Sequence, residues 1–107
     1  MLHVIAREGD RVTAELPEDV DLYTTPALRA VVHRLIDEGC RRLVLDASRT
    51  VHLDSTGVSA LVAWFHRLDG QGGTLVVTGL SEALHRMLTI LGLDTVMALT
   101  PGPASSP

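Results

Sequence analysis

Leu43, Val44 and Leu45 form an unbroken apolar run, closed by Arg41 and Arg42 on one side and Asp46 on the other. A short apolar run without alternation is the pattern of a strand covered on both faces, and such strands belong to parallel sheets flanked by helices. The neighbouring segments agree with that. Leu28, Val31, Val32, Leu35 and Ile36 before the run, and Val58, Leu61, Val62, Phe65 and Leu68 after it, recur at helical spacing. The run is therefore expected to be the central strand of an α/β sheet. Apolar residues make up 46% of the chain and aromatics only 3%, so its core has to be built from Leu, Val, Ala and Ile. A length of 107 residues fits one such core and not two.

The remaining elements follow from alternation and punctuation. Leu2, Val4 and Ala6 alternate with His3, Ile5 and Arg7; after Gly9 and Asp10, the run Arg11 to Leu16 alternates again with Val12, Ala14 and Leu16 on one face, which predicts a β-hairpin. Thr25 and Pro26 predict a helix start, with the Thr25 hydroxyl as cap, and Gly39 its stop. A loop from Ala47 to Asp54 should lead into a second helix from about Thr56 to Leu68. Leu75 to Val77 read as the next strand, and Ser81 as the cap of a third helix that buries Leu84, Met87, Leu88 and Leu91. A last strand is expected over Val96 to Leu99. The predicted order is β-β-α-β-α-β-α-β, a mixed sheet packed with helices, with right-handed crossovers and an antiparallel first strand. The domain is expected to span residues 1–100, and the Pro, Gly, Ser and Ala tail 101–107 to be disordered.

Charge and cysteine usage narrow the function classes. A net charge of -4 gives no basic footprint for a phosphate backbone, so nucleic acid is not an expected partner. The one cysteine, Cys40, permits no intramolecular disulfide and no multi-cysteine metal cluster, and it reads as an idle or buried thiol. No signal-like segment or membrane-length apolar run is present, so the protein is expected in the cytoplasm with no membrane partner. The five histidines are scattered without ligand spacing, and neither metal nor cofactor is predicted.

Leu53-Asp54-Ser55-Thr56-Gly57 is the segment where chemistry concentrates. It feeds the second helix, where free backbone amides and the positive end of the helix dipole collect. Gly57 is expected to leave those amides open to a phosphate or a partner's acceptor groups. The competing structural reading is that Ser55 or Asp54 is simply an N-cap, contributing about 1 kcal/mol. His52, Asp54 and Ser55 do not make a hydrolase triad, because three loop neighbours cannot place a base between acid and nucleophile, and no enzyme is predicted. Trp64 flanks the apolar stripe of its helix; core packing is its expected role, and exposure as an interface anchor the alternative.

From about Val20 to Leu99 the chain resembles the STAS family of sulfate-transporter and anti-sigma-factor-antagonist domains. The resemblance rests on Asp21-Leu22-Tyr23-Thr24-Thr25-Pro26-Ala27-Leu28, the strand ending at Asp46, Asp54-Ser55-Thr56-Gly57-Val58, Gly72-Gly73-Thr74-Leu75 and Leu91-Gly92-Leu93. It implies a bacterial anti-sigma-factor antagonist in which Ser55 is phosphorylated by a serine kinase that is itself the anti-sigma factor, and reset by a phosphoserine phosphatase. It also implies a partner surface of Asp21, Tyr23, Thr24, Asp54, Ser55, Thr56 and Gly57. Thr56 is a second hydroxyl on the same turn and stays open as an alternative acceptor, although the family pattern favours Ser55. The alternative is a STAS-like subunit of a lipid-transport or stress-signalling complex whose Ser55 loop docks unphosphorylated. Glu18-Asp19 and His52 depart from the family pattern, which bears on loop shape and partner identity.

Overall fold

A computed structural model describes residues 2–102. Strands β1 (His3–Glu8) and β2 (Arg11–Glu15) form the expected antiparallel hairpin, with Glu8 opposite Arg11. The two-residue turn has Gly9 at φ 63°, a backbone conformation that glycine adopts without steric cost. Alternation along β1 does not last. A bulge between Val4 and Ala6 shifts the register, so Leu2 is buried and Val4 half-buried while Ala6 is exposed.

The chain then steps in one direction across the sheet. Parallel strands β4 (Arg42–Asp46), β6 (Thr74–Leu80) and β7 (Ala98–Pro101) follow β2, in the spatial order β1-β2-β4-β6-β7. Between them run α1 (Thr25–Asp37), α2 (Ser55–Asp69) and α3 (Glu82–Ile90). Right-handed crossovers that all advance the same way put all their helices on the same face. Burial follows that rule: Val12, Ala14, Leu43, Leu45, Leu75 and Val77 are buried under the helices, whereas Thr13, Val44, Val76 and Thr78 between them are only half-buried. The central strand is thus where the sequence places it, but helices cover it on one face instead of two.

Two helices meet the core differently from expectation. The buried face of α2 is Gly57, Ala60, Leu61, Trp64 and Leu68, a small rotation from the predicted stripe. Trp64 is fully buried, so core packing is its role, and Val58, Val62 and Phe65 are half-buried. In α3, Ser81 Oγ accepts from the Leu84 amide as expected, but Leu91 lies past the helix end and is exposed. Thr25 does not cap α1. It lies buried in the first turn, and its hydroxyl donates to the Asp21 carbonyl at 2.5 Å. β7 begins two residues later than predicted and runs through Pro101, which pairs with Leu80; residues 103–107 of the expected tail lie outside the described residues.

One feature absent from the predicted order matters most for the site. Within the expected Ala47 to Asp54 loop, β5 (His52–Leu53) pairs in parallel with β3 (Asp19–Val20), a separate two-stranded sheet. The Thr50 hydroxyl donates to the Pro17 carbonyl at 2.9 Å and the Val51 amide to Glu18 at 2.8 Å, fastening the same two segments.

Candidate switch and partner-docking site

The β3–β5 pair carries the entry to α1 and the entry to α2 side by side. Asp54 is the N-cap of α2, in extended conformation, and its Oδ1 accepts from the Gly57 amide at 2.9 Å. Ser55 is therefore the first helical residue, exposed to solvent, and its hydroxyl is left out of the cap. The choice between Ser55 and Asp54 as cap is settled for Asp54. Thr56, one residue on, is half-buried.

Gly57 corrects a sequence-based expectation. It is buried, and a Cβ there would stand 2.5 Å from the Val20 carbonyl oxygen and 2.6 Å from Leu53 Cδ1. The missing side chain lets α2 sit directly against β3 and β5; it does not open a path to the helix amides. Gly57 is thus a buried packing residue beneath the site.

The turn before α1 is held by its own side chains. Asp21 Oδ1 accepts from the amides of Tyr23 and Thr24 at 2.9 and 3.0 Å, while Thr24 Oγ1 accepts from the Asp21 amide and donates to the Asp19 carbonyl, both at 3.0 Å. Reciprocal bonds of this kind stiffen a helix entry. Asp21 and Thr24 are half-buried and engaged in this turn through Oδ1 and Oγ1, whereas Tyr23 projects with 87% of its surface exposed. Leu22, which the sequence reading did not single out, is also exposed at 61%. Its amide donates to Asp54 Oδ2 at 3.2 Å. No periodicity or motif signals a bond between residues that distant in the chain.

His52 Nδ1 lies 2.8 Å from Asp19 Oδ1, so the imidazole is paired across β3–β5 and is not partnered with Ser55. A concavity of about 470 Å³ lined by His3, Glu15, Leu16, Pro17, Glu18 and Arg49 does not include Ser55. Among the described residues no cluster of His, Cys, Asp or Glu could hold a metal ion, and no helix is long and apolar enough to cross a membrane. The arrangement presents an exposed hydroxyl at a helix start, next in sequence to the Asp54 carboxylate, which also holds the turn carrying the exposed Leu22 and Tyr23.

A family model described as "Mlab, STAS domain" matches residues 3–101, nearly the whole described chain. The chain belongs to the STAS domain family. A relative from Bacillus subtilis, named anti-sigma-B factor antagonist, is 31% identical over 98 residues, covering 90% of this chain and 87% of the relative. The crystal structure of an anti-sigma factor antagonist from Mycobacterium paratuberculosis superposes with a TM-score of 0.82 at 26% identity, covering 94% of this chain and 85% of that one. The anti-sigma factor antagonist SpoIIAA in its unphosphorylated form gives 0.79 at 18% identity, covering 92% and 87%. Its Bacillus structure in the phosphorylated form gives 0.74 at 18%, covering 92% and 90%. At that identity SpoIIAA attests the STAS fold, which this chain shares.

Proposed function

We propose that this STAS domain is a cytoplasmic anti-sigma-factor antagonist: it binds a kinase-type anti-sigma factor through the end carrying Ser55, and phosphorylation of Ser55 releases the complex. It acts by binding, not by catalysis. The observation that carries this reading is the exposed Ser55 hydroxyl at the first position of α2, free of the capping duty that Asp54 performs. The Bacillus subtilis relative is named for antagonism of an anti-sigma factor, and SpoIIAA is known in both unphosphorylated and phosphorylated forms.

The physics of release follows from position. A phosphate adds roughly -1.5 to -2 charge, here beside the Asp54 carboxylate on a chain of net charge -4. The positive end of α2 tolerates that charge locally, so its cost falls on an interface fitted around a neutral hydroxyl. A coupling of about 1–3 kcal/mol weakens a complex roughly 5- to 150-fold, enough for a switch without refolding. A phosphoserine phosphatase would restore the binding form.

The test is incubation of the protein with ATP and the anti-sigma factor kinase of its own organism, followed by phosphate mapping and affinity measurement. Phosphate is expected on Ser55, absent from Ser55→Ala and retained in Thr56→Ala, with Ser55→Asp binding more weakly. Transfer to Thr56 alone, or full affinity in Ser55→Asp, would overturn the switch. Stable binding with no phosphate in any form would instead favour the unphosphorylated STAS subunit of a larger complex.

A further inference from the structure

Asp54 has every polar atom engaged within the domain. Its amide donates to the Val20 carbonyl of β3 at 3.2 Å, its carbonyl accepts from Val58 at 2.9 Å, Oδ1 accepts from Gly57 and Oδ2 from Leu22. The first bond ties Asp54 to β3, and the second and third define the start of α2. The fourth reaches across to the turn before α1, where it holds the segment that carries the exposed Leu22 and Tyr23. That turn is stiffened internally by Asp21 and Thr24 and its base is joined to α2 through the β3–β5 pair, so the Oδ2 bond is the contact that holds the Leu22 segment itself against the helix start.

We infer that Asp54 is the positioning residue of this site: through Oδ2 it sets the Leu22–Tyr23 turn beside Ser55 as a preformed apolar knob on which the anti-sigma factor docks. The docking half of this inference rests on the reading that the Ser55 end binds an anti-sigma factor; the tether does not. Large, lightly covered apolar and aromatic side chains on a rigid support bind at a lower ordering cost than the same side chains on a loose loop. Asp54 contributes by holding that support, not by touching the partner. Its separate roles can be split chemically. Serine is a competent N-cap with one short oxygen, so Asp54→Ser keeps the Gly57 bond and loses the reach to Leu22, whereas Asp54→Ala loses both.

Amide hydrogen exchange followed by NMR on the isolated protein reads the tether directly. Leu22 should exchange about tenfold faster in both Asp54→Ser and Asp54→Ala, while Gly57 stays protected in the serine variant only. An unchanged Leu22 rate in Asp54→Ser, with the cap intact, overturns the positioning role. Affinity for the anti-sigma factor used above reads the knob. Asp54→Ser and Leu22→Ala are each expected to weaken binding about five- to tenfold with the unfolding midpoint of Asp54→Ser near that of wild type. Wild-type affinity in Asp54→Ser and in Leu22→Ala overturns the docking role of the turn. If wild type itself binds no anti-sigma factor, the functional reading fails, and the Leu22 exchange rate still decides the tether.

Discussion

Gly57 faces a backbone oxygen, and that fixes what a larger residue would do. A methyl group 2.5 Å from the Val20 carbonyl has no flexible side-chain end to push aside, so α2 itself must move off β3. Gly57→Ala is expected to lose about 1–3 kcal/mol in urea unfolding and to displace Ser55 with the helix start. Cys40 offers a second test at this scale. Burial pushes its thiol above the ordinary value, and the chain has no lysine to obscure titration in the alkaline range. A thiol with a raised pKa when folded holds its proton longer than in the unfolded chain. Its stabilising contribution is complete below the unfolded pKa and declines as pH rises through the folded one. Wild type should therefore lose more stability than Cys40→Ala between pH 8 and pH 10, both followed by urea unfolding. At this scale Ser55 was legible, because a hydroxyl before a helical stripe is a local pattern. The Asp54 to Leu22 bond was not, since only the folded chain brings the two together.

Elements with long periodic patterns were readable, and elements whose identity depends on a partner were not. The stripes of α1 and α3 located those helices, but a stripe cannot report which way a helix is turned, and the close seat of Gly57 rotates α2 until Trp64 points inward. Two-residue strands such as β3 and β5 have no period to detect; they exist because each supplies the other's hydrogen bonds. Unbroken apolar runs misled in one respect. Val44 suggested a strand covered twice, yet valine also suits a half-exposed pleat. The same substitution on opposite faces separates these cases. Val44→Thr, on the open face, should change stability by less than about 0.5 kcal/mol, while Val77→Thr under the helices should cost about 1–3 kcal/mol because its hydroxyl has no partner there. Equal costs in chemical denaturation would mean that the open face is covered after all.

Across the whole molecule, the residues that fold the chain and those of the proposed switch are separated. The core lies between the sheet and its single helical layer, while Ser55, Leu22 and Tyr23 project from one end of it. Ser55→Asp is accordingly expected to alter unfolding free energy by less than about 0.5 kcal/mol, even where partner binding falls strongly; thermal melts of free protein check this. The sheet's two outer strands complete the picture. β1 is interrupted by the bulge at Ile5, and β7 joins β6 with a register shift and ends at Pro101, which has no amide to donate. Another chain seeking to extend the sheet would meet a broken ladder on either side. Blunted borders of this kind let the protein reach high concentration without fibre growth.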